Sequence, residues 1–283
     1  MLTRFAPSPT GELHLGHAYS ALLAHDAARG AGGHFRLRID DIDGSRSREA
    51  YVAAALADLA WLGVEWDGPL HRQSRHLGAY DAALAKLKAR GLVYPCFCTR
   101  ADIAASLAAP HGPAGAIYPG TCRALDAAER ARRVAGEAHC WRLDMARGAA
   151  RAGDLAWEEA GQGMRRADPE AHGDIVLARK DAPASYHLAS TLDDAAMGVT
   201  HVVRGADLVA ATDVHRLLQA LLDLPVPVYR HHALVCGPDG RRLAKRDAAA
   251  SLATLRDGGI DGRALAADLL AGRLPAGYSL RMP

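Results

Sequence analysis

The sequence predicts an α/β protein. A parallel sheet with helices on both faces is interrupted by an inserted, cysteine-bearing subdomain and followed by a short helical C-terminal segment. Three observations lead there. Strand and helix signals alternate through the first 94 residues. Between Pro95 and about Pro183 the periodicity weakens while Cys, Gly and Arg concentrate. The alternation then resumes.

Taken in order, Leu2 to Ala6 reads as a short strand stopped by Pro7 and Pro9, and Gly11 and Gly16 bracket a loop. A helix is expected from about His17 to Arg29. His34 to Ile39 alternates apolar and basic residues as a second strand. Val52, Ala55, Leu56, Leu59 and Leu62 recur at helical spacing with Gly63 as the C′ residue, and Leu77, Tyr80, Leu84 and Leu87 mark a helix stopped at Gly91. Beyond the insertion, Tyr186–Leu192 and Thr200–Arg204 resume the pattern. Val214, Leu217, Leu218, Leu221 and Leu222 share a helix face with Thr212 as N-cap, and Tyr229 to Val235 reads as a strand. The expected organisation is therefore 1–94 and 184–236 as two halves of one domain, 95–183 as an insertion, and 237–283 as a loop with a short helical region.

The chain has 283 residues, 49% of them apolar and 23% charged, with a net charge of +2. That excludes a disordered or collagen-like chain and a global polycation, so any nucleic-acid footprint must be local. Five cysteines, at 96, 98, 122, 140 and 236, are an odd number, and reduced or metal-bound thiols in a cytoplasmic protein are the expectation. No stretch has signal-peptide character or approaches 18 uninterrupted apolar residues, so no membrane partner is expected.

Walker, GxGxxG and HExxH patterns are absent. Present is Pro7-Ser-Pro-Thr-Gly-Glu-Leu-His14-Leu-Gly16-His17, between the first strand and the first helix. A glycine-bearing turn lets backbone approach phosphate, the helix N-terminus adds partial positive charge, and two histidines there can donate to phosphate oxygens. Near the other end, Gly237-Pro-Asp-Gly240-Arg-Arg242-Leu-Ala-Lys245-Arg246 sets four cations in six residues behind a turn, a loop able to clamp a polyphosphate. Cys96, Cys98 and Cys122 offer three thiolates to a structural Zn²⁺, which wants a fourth ligand; His111 and Tyr118 are the candidates.

These elements resemble those of the class I aminoacyl-tRNA synthetases, through the HIGH-type His14–His17 and the KMSKS-type Arg242–Arg246. Within that class the chain is similar to the glutamyl branch. The resemblance is carried by Arg4-Phe-Ala-Pro-Ser-Pro-Thr-Gly11, Leu37-Arg-Ile-Asp-Asp-Ile-Asp43, Tyr186-His-Leu-Ala, Leu192-Asp-Asp-Ala-Ala-Met-Gly-Val-Thr200 and Val203-Arg-Gly-Ala-Asp-Leu208, and it covers roughly residues 2 to 250. It implies a Rossmann-like parallel sheet with a zinc-bearing insertion. It implies glutamate contacts from Arg4, Ser8, Asp40, Tyr186 and Arg204, a set that suits two carboxylates and one ammonium. It implies ATP contacts from Pro7, Gly16, Leu234 and Val235, catalytic roles with ATP for His14, His17 and Lys245, and Mg²⁺ accompanying ATP. For the one expected Zn²⁺ it favours Tyr118 as fourth ligand. Two departures stand out: Asp40 replaces the family's usual Glu, and the basic loop has Arg242 for the usual first Lys and Ala244 for the usual Ser.

Only 37 residues follow Arg246, fewer than the helical anticodon-binding domain of a full glutamyl enzyme needs. The resemblance is thus to the truncated, glutamyl-Q type of catalytic core, which activates L-glutamate with ATP without tRNA and esterifies it to queuosine in the anticodon of tRNA(Asp). Arg123, Arg130, Arg132 and Arg133 are candidates for RNA phosphate contacts or a solvated helix face. A monomer is expected. The rival readings are a minimal glutamyl-tRNA synthetase charging a 3′ end, a non-catalytic zinc-stabilised RNA-binding paralogue, and a small nucleotidyltransferase sharing only the HxGH element.

Overall fold

The computed structural model describes residues 1–99, 102, 117–179, 182–243 and 251–283. β1 (Leu2–Phe5), α1 (Leu15–Gly30) and β2 (His34–Ile39) form a right-at-the-start strand–helix–strand unit, with β1 and β2 parallel from Leu2↔His34 to Phe5↔Leu37. α2 (Glu49–Trp61) follows, β3 (His71–Arg72) adds a parallel strand beside β2, and α3 (Leu77–Ala89) completes the first half. Gly63 sits just past α2 at φ +77°, a conformation that favours glycine and ends the helix where the spacing predicted.

β4 (Val93–Cys96), α4 (Ala127–Gly136), β5 (Cys140–Leu143) and α5 (Met145–Ala152) come next, then the hairpin strands β6 (Ala156–Glu159) and β7 (Gly163–Arg166), and β8 (Val176–Ala178). β4, β5 and β8 make a small antiparallel sheet in which Cys96 pairs with Cys140. α6 (Tyr186–Ala196), β9 (His201–Gly205), α7 (Val209–Leu222) and β10 (Val228–His232) restore the alternation. β10 runs parallel to β9 on one side and to β6 on the other, so the middle segment contributes to this sheet as well as forming its own. The two parallel halves meet where the Thr200 N–H donates to the Leu2 carbonyl at 3.0 Å.

Two apolar cores form, each drawing on both halves. One gathers Leu22, Phe35, Leu37, Leu59 and Val235; the other gathers Leu143, Leu177, Leu188, Leu217 and Tyr229. Burial of such side chains is the main stabilising term, about 1.5–3 kcal/mol each. The chain then runs through β11 (Leu234–Cys236), α8 (Leu252–Asp257), α9 (Gly262–Leu270) and β12 (Ser279–Arg281), which pairs antiparallel with β11.

Two local expectations are corrected. The strand expected from Tyr229 to Val235 is broken at Ala233 into β10 and β11, whose partners differ. Thr212 is not an N-cap: α7 begins at Val209, and the fully buried Thr212 hydroxyl accepts from Arg204 at 2.7 Å. A short hydroxyl suits either task, and only the tertiary partner distinguishes them. Among the described residues, no helix is long and apolar enough to cross a membrane.

Candidate active site

The loop between β1 and α1 places its histidines by capping. His14 is the N-cap of α1: its Nδ1 accepts the Gly16 N–H at 3.1 Å, while Nδ1 of His17 accepts the His14 N–H at 3.2 Å. The reciprocal arrangement satisfies N–H groups that a helix start otherwise leaves open. It also sets the tautomer, since a neutral ring accepting at Nδ1 carries its hydrogen on Nε2. The two rings lie 3.8 Å apart. Glycine leaves room for the ring at 16, where a Cβ would lie 3.1 Å from Cε1 of His14, a tight contact.

These residues line a cavity of about 320 Å³ with Ser8, Leu234 and Val235, so five of the residues nominated for ATP or catalysis share one space. Ser20, Asp207, His232 and Arg242 line it too. His232 donates from Nδ1 to the Ala233 carbonyl at 2.9 Å and accepts at Nε2 from Ser20 at 3.1 Å; burial lowers its pKa. Arg242 forms an ion pair with Asp207, which draws the start of the basic loop to the cavity wall. Lys245 lies outside the described residues, as does Ala244.

A second cavity, of about 410 Å³, is lined by Ser8, Asp40 and Tyr186 among others, and Ser8 is common to both. Asp40 is held from two directions. Its N–H donates to the Pro7 carbonyl at 3.0 Å, tying the ends of β1 and β2, and its carboxylate accepts from Arg38 Nε at 2.7 Å. Burial raises the Asp40 pKa against the opposing pull of Arg38. The fully buried Arg38 also donates to Asp194 at 2.6 Å and to Ser190 at 3.0 Å. Asp194 in turn takes Arg4 at 2.9 and 3.1 Å, a bidentate pair. Burial pushes the Asp194 pKa up, but Arg4 and then Arg38 outweigh it, leaving the carboxyl below its usual range. The adjacent Asp193 accepts from Tyr80 at 2.9 Å, Gln73 at 2.7 Å and His71 at 3.1 Å. Arg4, Pro7 and Arg204 line neither cavity; Arg4 and Pro7 act on the framework of the second one.

Arg204 is different. It is 4% exposed, and among the described residues no carboxylate lies within 4 Å of it. Its donors go to neutral groups: His231 Nε2 at 3.2 Å, the Leu208 carbonyl at 3.2 Å, Thr212 at 2.7 Å, the Tyr186 hydroxyl at 3.3 Å and His215 Nδ1 at 3.4 Å. Burial, reinforced by Arg204, keeps His215 neutral, and His187 beside it falls to about 4, chiefly through burial. A buried cation without a direct counter-ion is costly; Arg204 itself lies behind Tyr186, whose side chain lines the second cavity.

The sulfurs of Cys96, Cys98 and Cys122 lie within 4.8 Å of one another, and could hold a metal ion. Cys98 and Cys122 are 3.5 Å apart, and the Tyr118 hydroxyl is 3.6 Å from the Cys98 sulfur. Tetrahedral zinc with Zn–S bonds of about 2.3 Å sets its sulfurs about 3.8 Å apart, so the spacing fits. A hydrogen bond with Cys140 is the main influence lowering the Cys96 thiol, to about 4, while burial raises Cys98 to about 11. His111 lies outside the described residues. The nominated arginines nearby are internally engaged: Arg132 pairs with Glu129, Arg133 with Glu137, Arg123 with Asp174, and Arg130 donates to two carbonyls.

A family model, "tRNA synthetases class I (E and Q), catalytic domain", matches residues 1–269. The "Glutamyl-Q tRNA(Asp) synthetase" of Rhodobacter capsulatus is 50% identical over 268 residues, 90% of this chain and 95% of that protein. The chain belongs to the glutamyl-Q tRNA(Asp) synthetase family. Another relative within this glutamyl-Q tRNA(Asp) synthetase family, from Symbiobacterium thermophilum, is 46% identical over 90% of this chain and 81% of its own length. A solved glutamate–tRNA synthetase from Elizabethkingia anophelis superposes with a TM-score of 0.74 at 27% identity. The match covers 87% of this chain but 53% of that one, so the chain spans about half the length of that structure.

Sequence reasoning quoted Arg38, Asp193 and Asp194 as markers without giving them roles. It missed Ser20 and His232, which line the first cavity, and His215 and His231, which contact Arg204. The adjacent His231–His232 in a strand was the available signal.

Proposed function

We propose that this chain activates L-glutamate with ATP to glutamyl-adenylate without tRNA, and then transfers the glutamate to the queuosine base in the anticodon of tRNA(Asp). The observation that carries the glutamate step is Arg204, buried with no carboxylate among the described residues within reach. A substrate carboxylate arriving at Nη1 exchanges its two longest bonds, to Tyr186 and His215, for charge-assisted ones. Asp40 receives the ammonium. Its side chain is one methylene shorter than Glu, so a water completes that contact. Arg4 and Ser8 finish the pocket, Arg4 through Asp194.

Ser8 sits where the two cavities adjoin, so the α-carboxylate oxygen reaches the α-phosphorus of ATP from the amino-acid side. The P–O bond to pyrophosphate breaks as the acyl-phosphate bond forms. His14 and His17 donate from Nε2 to phosphate oxygens; Pro7, Gly16, Leu234 and Val235 frame the nucleotide, and Lys245 stabilises the departing pyrophosphate. Mg²⁺ comes with ATP and neutralises phosphate charge. Cys96, Cys98, Tyr118 and Cys122 hold one structural Zn²⁺. In the second step a hydroxyl of the queuosine cis-diol attacks the acyl carbon and AMP leaves. The names of the two relatives described above support this acceptor. The chain works as a cytoplasmic monomer, with 1–94 and 184–236 as catalytic halves, 95–183 as the metal-bearing insertion, and 237–283 as the basic loop and its short helical sequel.

The test is ATP–pyrophosphate exchange. Exchange dependent on glutamate and independent of tRNA is expected, and Arg204→Gln loses it. Exchange that requires tRNA, or that Arg204→Gln retains in full, contradicts the reading.

A further inference from the structure

Arg204 is linked through one imidazole to a carboxylate that it does not touch. Glu159, at the end of β6, is 2% exposed. Its Oε1 accepts the His231 backbone N–H at 2.7 Å, and its Oε2 accepts from the His231 ring Nδ1 at 2.6 Å. With that hydrogen committed to Glu159, Nε2 is the acceptor of the neutral ring, and it takes the Nε–H of Arg204 at 3.2 Å. The sheet supplies the alignment. β6, β10 and β9 are neighbours, His231 pairs with Arg204 across β10 and β9, and Tyr229 pairs with Glu159 across β10 and β6. Glu159, His231 and Arg204 therefore stand in sequence across three strands, and the line continues to the Tyr186 hydroxyl at the cavity.

The indirect link has a consequence that a direct ion pair lacks. Arg4 shows the alternative: its guanidinium is taken up bidentately by Asp194. A carboxylate placed that way on Arg204 would compete with the substrate's own. With a neutral imidazole between, Arg204 is held in direction while its charge stays available to a ligand. Burial lowers the His231 pKa, against the opposing influence of Glu159, in keeping with a neutral ring.

We propose that Glu159, acting through His231, is a positioning residue that aims Arg204 at the carboxylate of bound glutamate. The inference rests on the glutamate reading above. In Glu159→Gln either orientation of the amide sets its NH₂ against a donor, the His231 N–H or the ring Nδ1–H. His231→Phe removes the acceptor for the Arg204 Nε–H while keeping a ring.

The experiment is tRNA-independent ATP–pyrophosphate exchange by the full chain, titrated separately with glutamate and with ATP, alongside thermal melts. Both variants are expected to raise KM for glutamate about tenfold or more, the scale of one lost hydrogen bond to a charged group, with KM for ATP within about twofold. The double variant should be no worse than the worse single one, since both act through one guanidinium. An unchanged glutamate KM in either folded variant overturns the proposal. So does a parallel rise in both KM values with a lowered melting temperature, which is what a merely structural role produces. If Glu159→Gln fails to fold, His231→Phe decides by the same KM split. Wild-type protein without glutamate-dependent exchange refutes the glutamate reading itself, and the two failures are thereby distinguished.

Discussion

Asp194→Asn removes the carboxylate that two buried arginines share. Arg4 and Arg38 have side chains 5% and 1% exposed, and they reach Asp194 at 2.9 and 2.6 Å. Taking one partner out of a buried pair costs about 3–5 kcal/mol, because the remaining charge has neither water nor counter-ion. Arg38 keeps Asp40 at 2.7 Å and stays 3.8 Å from Asp193, so the lower half of that range is expected. With 283 residues and about 2.1 cal/mol/K of unfolding entropy per residue, roughly 0.6 kcal/mol/K in all, the melting temperature falls by about 5–7 °C. Asp154→Asn is the control. Its pair with Arg166 has side chains 93% and 84% exposed, and its melt shifts by about 1 °C or less. The assay is calorimetry of both variants at neutral pH, followed by glutamate KM, which rises in Asp194→Asn because Arg38 no longer aims Asp40 rigidly. Equal melts for the two variants would refute the claim that this carboxylate holds the amino-acid side of the site together.

Three further outcomes follow. Gly16→Ala presses a methyl to 3.1 Å from the His14 ring and raises KM for ATP or lowers kcat, whereas Gly30→Ala, with nothing within 4 Å, leaves both unchanged; equal kinetics for the pair would contradict the capping account. Only ionised Asp40 attracts an ammonium, and burial raises its pKa; kcat/KM for glutamate should therefore fall as pH drops through a value above the usual carboxylate range of about 4. A limb at the ordinary carboxylate pKa argues against that contact. The isolated protein should hold about one Zn²⁺ per chain by elemental analysis, Cys98→Ser should lose it and melt lower, and undiminished metal in Cys98→Ser would remove Cys98 from the ligand set.

What sequence reveals here is what local patterning encodes. β2 is found from His34 to Ile39 as its alternation predicts, and α2 and α3 end near Gly63 and Gly91 because a left-handed C′ residue is a local requirement. The HxGH turn was legible for the same reason, its capping geometry lying within four residues. Long-range partnerships were not. Arg38 meets Asp194 across 156 positions and Glu159 meets His231 across 72. Nothing in their neighbours' periodicity records that. Thr212 illustrates the limit: a hydroxyl near a helix start reads as a cap, but its partner is a guanidinium from another strand. The broken strand at Ala233 is of the same kind, since it depends on β12 arriving more than 40 residues later.

The measurement that tests the central claim most directly follows the acyl group. Labelled glutamate and ATP are offered with queuosine-bearing tRNA(Asp), unmodified tRNA(Asp) and tRNA(Glu), and nuclease digestion locates the label. The account predicts label on the anticodon queuosine nucleoside of the first RNA alone. Label at the 3′ end of tRNA(Glu), or equal labelling of unmodified tRNA(Asp), would contradict it.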